Sequence, residues 1–382
     1  QFSSHHLKVD ASVGGYLKLK GWKRKSLFDA EKRFLHDKVR VESEKIFQLM
    51  CTSKGIYPMT AAIQVKANET LPRFEVECEG KLRFFSMGEF TYLIAVLRFM
   101  LPILAWMKKY RTGTSNGSGM NYYTVEWADV YKRLHMYGDE PNVIAGDFKR
   151  FDKGVPGIVG TRMKKDLRYL MRNFMTPQLH NALRHICEAP PQAHYIYYDV
   201  VFYLGRGHPS VHSLTSPYNG YANYLLHKSV YQICVLDSHL PGMSFEECVY
   251  MLYYGDDSVG SVSEKVSKRF NMVTLARFVK AIWGLTYTSP TKGDIVEPFM
   301  PLSDVDFLKR RFVPLGSKSI VQCPLDKSSI NSMLNFVSND LDPDEAMVAN
   351  FRSAMMETFR HGKEYHDHIC GIINKVCMTH DL

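Results

Sequence analysis

The chain has 382 residues, more than one hydrophobic core usually serves, so we expect two or three lobes. Hydrophobic residues make up 45% and charged residues 23% of it, which excludes a disordered, collagen-like or coiled-coil protein. Its net charge of +9 favours a polyanionic partner without establishing one. The eight cysteines form no CxxC pair, which is typical of a reduced, intracellular protein.

The first predicted elements are helices. Apolar residues recur at roughly helical spacing over residues 26–50, which predicts an amphipathic helix broken once. Residues 91–107 form the most apolar stretch, but it is short of a membrane span and carries an arginine and a proline, so we expect a buried helix. A Gly/Ser/Asn loop at residues 113–120 separates it from a helix predicted at residues 127–135.

Two apolar runs predict buried strands that lead into carboxylates. Residues 142–146 (NVIAG) predict a strand that delivers Asp147 at its end. Residues 248–254 (CVYMLYY) predict another, which continues into the GDD triplet, residues 255–257, and then into a short β-like stretch at residues 258–262. Strand, tight glycine turn and strand predict a hairpin with two acidic residues at its tip.

Carboxylates at the ends of buried strands require a counterpart, because an isolated ionised group is costly to bury. If Asp147 and the hairpin with Asp256 and Asp257 are neighbours in one sheet, three carboxylates converge on one point. Such oxygen ligands suit Mg²⁺, for which Mn²⁺ can substitute, and the cluster suits phosphoryl transfer to a 3′-hydroxyl. A GDD triplet alone is equally explained by a surface turn, so the order of the surrounding elements carries the prediction.

Four further elements lie in order around these carboxylates. They are DFKRFD with Asp147 and Asp152, the polar segment with Ser210, Thr215 and Asn219, GLTYTSPTK ending in Lys292, and FLKRRF at residues 307–312. With them, the chain resembles the RNA-dependent RNA polymerases of picornaviruses and picorna-like viruses over nearly its whole length. The resemblance implies an α+β right-hand fold of fingers, palm and thumb, in which the palm is an antiparallel sheet backed by helices.

The resemblance implies catalytic roles for four residues. Asp147 and Asp256 are expected to be the main metal ligands. Asp257 ranks third, because a tight turn cannot aim two adjacent side chains equally well. Lys292 is the expected general acid that protonates the departing pyrophosphate, a role that rests on the resemblance alone.

Four polar residues are expected to read the ribose of the incoming nucleotide. Asp152 lies too far along the chain to share the metal but is well placed to accept a hydrogen bond from the sugar. With Ser210, Thr215 and Asn219 it would select RNA over DNA precursors, because a ribose 2′-hydroxyl both donates and accepts. For Ser210 and Thr215 the alternative is a capped loop before a helix.

Basic residues supply the expected contacts to phosphate. Lys81 and Arg83, in a segment similar to the end of the family's motif F, would bind the triphosphate, although a solvated basic strand is the alternative. Lys309 and Arg310, in a segment that looks like motif E, would bind the primer and RNA backbone, and an exposed basic edge strand is the alternative.

The sequence departs from the family pattern in two places. Val211 stands where the family usually has glycine after the motif B serine, so we expect slower loop movement, because a β-branched residue resists positive φ. The stretch before motif F is shorter than usual and the chain opens without Met. We therefore expect a trimmed or processed product that lacks the amino-terminal fingertip segment.

These expectations define a polymerase with fingers at residues 1–99 and 153–206, palm at 100–152 and 207–312, and thumb at 313–382. Its expected function is template-directed addition of ribonucleoside triphosphates to a 3′-hydroxyl, replicating the positive-strand RNA genome of a picorna-like virus, with an insect as the expected host. Expected partners are template and product RNA, a protein primer (VPg) and other viral replication proteins. The expected location is the host cytoplasm at membrane-associated replication complexes, with the chain itself soluble.

Two alternatives to this function stay open. One is a catalytically impaired RNA-binding polymerase fragment, which the short front segment and Val211 make plausible. The other is a reverse transcriptase, which shares the palm carboxylates. The polar set around Asp152 argues against it, because such enzymes tend to exclude a 2′-hydroxyl with bulk.

Overall fold

The protein is described here from a computed structural model, which covers residues 27–28, 35–56, 59–65, 84–209, 214–290, 293–316, 320–336 and 342–380. Its helices are α1 (Asp37–Thr52), α2 (Phe90–Lys109), α3 (Val125–Leu134), α4 (Phe151–Gly154), α5 (Ile158–Leu170), α6 (Pro177–Glu188), α7 (Thr215–Cys234), α8 (Phe245–Cys248), α9 (Glu264–Ser267), α10 (Met272–Trp283), α11 (Lys327–Asn335), α12 (Pro343–Thr358) and α13 (Lys363–His380). Its strands are β1 (Thr60–Val65), β2 (Phe84–Gly88), β3 (Asn142–Lys149), β4 (His194–Tyr197), β5 (Val200–Tyr203), β6 (Val249–Tyr254), β7 (Asp257–Val262), β8 (Thr286–Thr288), β9 (Val313–Leu315) and β10 (Ile320–Gln322).

The strands form two four-stranded sheets and one two-stranded sheet. The first sheet has the order β2-β1-β4-β5, and only its β1–β4 pair is parallel. The second sheet has the order β6-β7-β3-β8 and is antiparallel throughout. Helix α7 packs against β6 through a buried face. An antiparallel sheet backed by a helix is the predicted arrangement.

Strand β3 runs three residues further than its apolar pattern predicts, because it changes partner. Residues 142–146 pair with β7, and residues 147–149 pair with the short strand β8. The close approach of β8 requires a glycine at position 146, where a Cβ atom would lie 2.4 Å from the Tyr287 ring and 2.6 Å from the Thr288 carbonyl oxygen. Asp147 therefore lies where the strand exchanges one partner for the other.

The predicted helices are present with shifted ends. Within the range expected to be helical, residues 26–50, helix α1 starts at Asp37. Phe28 and Leu35 form an isolated antiparallel bridge, and residues 26 and 29–34 lie outside the described residues. The apolar helix extends over residues 90–109. Among the described residues it is the one helix long and apolar enough to span a membrane by length and composition, and half of its most apolar window is buried inside the protein.

Aromatic stacking ties the carboxyl-terminal part of the chain to the second sheet. Trp127 of α3 is fully buried, with ring centroids 6.3 Å from Phe307 and 4.3 Å from Phe312. Val143 and Leu252 of the sheet belong to the same core cluster. The FLKRRF segment is therefore packed onto the sheet through its two phenylalanines.

Candidate active site

The predicted hairpin is present, with a tighter tip than expected. Tyr254 pairs with Asp257, so only Gly255 and Asp256 form the turn. Gly255 has φ +67°, the positive value that the first central residue of a type II′ turn requires. Asp257 is the first residue of β7, so the expectation of two acidic residues at the tip is corrected to one.

The structure brings Asp147 and Asp256 together from distant parts of the chain. Their side chains are hydrogen-bonded to one another, and the Phe148 amide donates to Asp147 Oδ1 at 2.7 Å. Burial, followed by the negative charges of Asp147 and Asp152, raises the pKa of Asp256 to about 6. Two half-buried carboxyls held close together favour a shared proton or a cation between them.

Asp257 is the next residue along the chain and begins β7. Its charge and that of Asp147 both contribute to raising the pKa of the buried Tyr287, after the larger effect of burial. No three His, Cys, Asp or Glu side chains are grouped as a metal site in the part of the chain that the structure describes. The described residues bring Asp147 and Asp256 together, and the role of Asp257 as a third ligand stays a prediction.

The donor chemistry of the pair fits a hard divalent cation. Carboxylate oxygens are the ligands that Mg²⁺ and Mn²⁺ prefer. Burial and then the charge of Asp147 raise the pKa of Asp256, so its ionised form is disfavoured in this site, and a bound cation would favour that form. Asp147 and Asp256 are the residues that would hold it.

Asn223 is a site residue that the sequence analysis missed. It is fully buried in α7, and its side-chain amide donates to the backbone carbonyls of Asp256 at 2.8 Å and Gly255 at 3.3 Å. These two hydrogen bonds from α7 therefore hold the turn of the hairpin in place. The available signal was the spacing of Asn219, Asn223 and His227, which puts three polar side chains on one helix face.

His227 continues this polar face beneath the hairpin. Its ring is fully buried against Phe148, Tyr253 and Tyr287, and its Nδ1 lies 2.9 Å from the Asn223 carbonyl oxygen. Burial lowers the pKa of His227 to about 4. The neutral imidazole is therefore the form that the folded protein accommodates.

This burial predicts a loss of stability in mild acid. Below the ordinary histidine pKa of about 6.5 the unfolded chain binds a proton that the folded chain does not, so stability falls as pH drops from about 6.5 towards 4. We expect the wild type to lose about 2 kcal/mol more than His227→Phe between pH 7 and pH 5. Urea unfolding of both proteins at the two pH values measures this, and equal losses would contradict it.

The predicted ribose-reading residues are placed unequally. Asp152 in α4 is close enough for its charge to raise the pKa of Asp256. Asn219 is 6% exposed, and its Oδ1 accepts no hydrogen bond from the described residues. Thr215 is the first residue of α7, and its hydroxyl donates to the Pro209 carbonyl oxygen at 3.3 Å. This is not a capping hydrogen bond, because a capping side chain accepts from a backbone amide of the helix.

Several predicted residues lie outside the described residues, and their roles stay predictions. They are Lys81, Arg83, Ser210, Val211 and Lys292.

The expectation that Arg310 contacts RNA is corrected by its burial. Its side chain is 4% exposed and forms a bidentate ion pair with Glu357 of α12, the shorter contact being 2.6 Å. An arginine engaged in this way is not presented to an RNA backbone. Lys309 is exposed instead, with Nζ 3.3 Å from the Ser329 hydroxyl, because Leu308 and Lys309 form the tip of a tight turn.

The sheet and its carboxyl pair define the palm of a template-dependent nucleic-acid polymerase. The sequence matches the family described as viral RNA-dependent RNA polymerase over residues 2–376. The chain belongs to this family.

Relatives and a solved structure agree with this assignment. The chain is 29% identical to the replicase polyprotein of Cricket paralysis virus over 337 residues, covering 85% of this chain and 19% of the relative. It is 28% identical to the replicase polyprotein of Acute bee paralysis virus over 370 residues, covering 94% of this chain and 19% of that relative. The chain thus spans about a fifth of the length of these relatives. The solved structure "Sicinivirus 3Dpol RNA dependent RNA polymerase" shares the fold, with a TM-score of 0.76 and 17% identity over 98% of this chain and 74% of that one.

Proposed function

We propose that this chain adds ribonucleoside triphosphates to the 3′-hydroxyl of a primer on an RNA template, with the reaction centred on Asp147 and Asp256. The observation that carries the proposal is the contact between these two carboxyls on the palm sheet. Family membership supports the same reaction. Template RNA and nucleoside triphosphates are the partners that the family implies.

The two carboxyls would hold Mg²⁺ or Mn²⁺. When bound, the metal lowers the pKa of the attacking hydroxyl and neutralises charge on the phosphates. The contribution of the chain is to keep the ligands fixed before substrate arrives. Asn223 does this by holding the carbonyls of the turn, and the Phe148 amide does it by holding Asp147 Oδ1.

Sugar selection is assigned to Asp152 and Asn219. The buried Asn219 Oδ1 has no described donor, and leaving such an acceptor unpaired is unfavourable. A 2′-hydroxyl can donate to one of these side chains and accept from the Asn219 amide, whereas a deoxyribose can do neither. Ser210 and Thr215 complete the predicted set.

The phosphate-binding roles follow the family pattern. Lys81 and Arg83 bind the triphosphate, Lys292 protonates the leaving pyrophosphate, and Lys309 contacts the primer backbone. Asp257 is proposed as a third, weaker metal ligand. The excess of basic residues, with a net charge of +9, supports binding to an RNA backbone, and such binding weakens steeply with salt.

The proposed lobes follow the sheets. All strands of the first sheet come from residues 1–99 and 153–206, proposed as fingers, and all strands of the second come from 100–152 and 207–312, proposed as palm. Helices α11 to α13 belong to the proposed thumb, residues 313–382. A VPg primer, other viral replication proteins and membrane-associated replication complexes in the host cytoplasm complete the proposal.

Primer extension tests the proposed function. We expect the purified chain with Mg²⁺ or Mn²⁺ to extend an RNA primer on an RNA template with ribonucleotides and not with deoxyribonucleotides. Binding of primer–template RNA without extension would instead support an impaired RNA-binding fragment. Efficient extension with deoxyribonucleotides would support a reverse transcriptase.

A further inference from the structure

The turn that carries Lys309 has an unfavourable backbone. Leu308 and Lys309 have φ +57° and +58°, and the flanking Phe307 and Arg310 exchange two backbone hydrogen bonds of 3.0 Å. Two successive positive φ values are those of a type I′ turn, which normally takes Asn-Gly. With a Cβ at both positions the left-handed conformation is disfavoured, so neighbouring contacts must hold it.

Arg310 supplies the contact on the thumb side. Its Nη1 donates to Glu357 Oε2 at 2.9 Å and to the Cys323 carbonyl oxygen at 2.8 Å, and its Nη2 donates to Glu357 Oε1 at 2.6 Å. The side chains of Arg310 and Glu357 are 4% and 5% exposed. This planar, two-point pairing fixes both the position and the orientation of the guanidinium.

Two palm tyrosines complete this contact. Tyr123 donates its hydroxyl hydrogen to Glu357 Oε1, and the Arg310 guanidinium lies 3.8 Å from the Tyr122 ring centroid. We call Arg310, Glu357, Tyr122 and Tyr123 the latch. It joins the palm, the turn and helix α12 at one buried point.

The exposed side of the turn faces a basic cavity. The cavity has a volume of about 510 Å³, and its lining includes four cationic residues, Lys309, Arg311, Lys327 and Arg360, and two acidic residues, Asp306 and Asp326. The Lys309 carbonyl accepts a hydrogen bond from the Asp326 amide at 2.8 Å. A change in the backbone of the turn therefore moves the Lys309 ammonium relative to the other cations.

We propose that Glu357 is a positioning residue for RNA binding: through Arg310 it holds the strained turn and so sets where Lys309 meets the RNA backbone. This inference rests on the proposed function, in which Lys309 contacts the primer. A buried ion pair adds little net stability compared with well-packed apolar residues. Fixing the geometry of the turn is a role that apolar residues would not fill.

The test compares RNA binding with stability in Glu357→Gln. We expect the Kd for primer–template RNA to rise about five-fold, the size of an effect transmitted through one packed residue. The slope of log K against log salt should fall by about one, because one phosphate contact is lost. The control is Asp367→Asn, which removes an exposed α13 pair with Lys363 and should change neither quantity.

A second substitution separates positioning from stability. Leu308→Asn gives the turn a residue that tolerates positive φ. In the double variant Leu308→Asn/Glu357→Gln we expect RNA affinity and the salt slope to return towards wild type while the melting temperature stays lowered. If Glu357→Gln does not fold, Tyr123→Phe tests the same link without leaving a buried charge unpaired, and it should shift Kd in the same direction.

Three results would overturn the inference, and a fourth would overturn the proposed function. A lowered melting temperature with unchanged Kd and salt slope in Glu357→Gln would overturn the inference, and so would a double variant that binds RNA no better than Glu357→Gln. If Glu357→Gln does not fold, an unchanged Kd in Tyr123→Phe would overturn it too. Failure of the wild type to bind or extend primer–template RNA would instead overturn the proposed function.

Discussion

Asp256→Asn should slow nucleotide addition strongly while raising the melting temperature. Asp256 lies half-buried at the hairpin tip and close to Asp147, where it would hold the metal. We expect kcat to fall by about 10³-fold, the loss typical of removing a group that stabilises transition-state charge. Primer extension under single-turnover conditions measures the change.

The expected rise in melting temperature follows from the pKa of Asp256. The folded-state pKa of Asp256 is raised to about 6, so at neutral pH its ionised form costs folded stability. The neutral amide removes that cost, and the melting temperature should rise. The control Asp237→Asn alters an exposed carboxylate 3.7 Å from Arg269 and should leave extension unchanged. Equal extension by Asp256→Asn, or lost activity with a lowered melting temperature, would contradict the metal assignment.

Asp152→Ala should relax the choice of sugar. Asp152 is near enough to the carboxyl pair for its charge to raise the pKa of Asp256. A site built to hydrogen-bond a hydroxyl discriminates strongly against the analogue that lacks it. With Asn219 still present, we expect the ratio of kcat/KM for ribonucleotides over deoxyribonucleotides to fall by about 10²-fold.

Competing nucleotide incorporation on one RNA template measures this ratio. Most of the change should come from slower ribonucleotide addition, since the lost acceptor serves only the 2′-hydroxyl. The exposed Asp237→Asn again serves as the control. If the addition of ribonucleotides and of deoxyribonucleotides slows equally in the variant, Asp152 acts on the carboxyl pair and not on the sugar.

Patterns formed by residues that are neighbours in the sequence predicted much of the active site. The apolar runs before Asp147 and before the GDD triplet predicted β3 and β6, and Gly255, which lies between β6 and the β-like stretch after it, predicted the hairpin. These features depend on neighbouring residues, so a sequence pattern carries them. The order of the motifs also led to the polymerase family, which the match over residues 2–376 shows.

Features that depend on residues far apart in the sequence could not be predicted from these local sequence patterns. The end of β3 is set by β8, more than a hundred residues away, and its approach is permitted by Gly146. Asn223 is a buried polar residue whose partners are carbonyls of the turn. Its spacing from Asn219 was visible, but its partners were not.

Arg310 shows the limit most clearly. Arg310 lies between a lysine and another arginine in the sequence, a context typical of an exposed basic segment. In the fold its side chain is buried and forms an ion pair with Glu357. The sequence by itself determined the two strand-borne carboxyls, the turn between β6 and β7, and the polymerase family. Tertiary structure decided which carboxyls touch and which arginine is buried, because contact and desolvation depend on residues that only folding brings together.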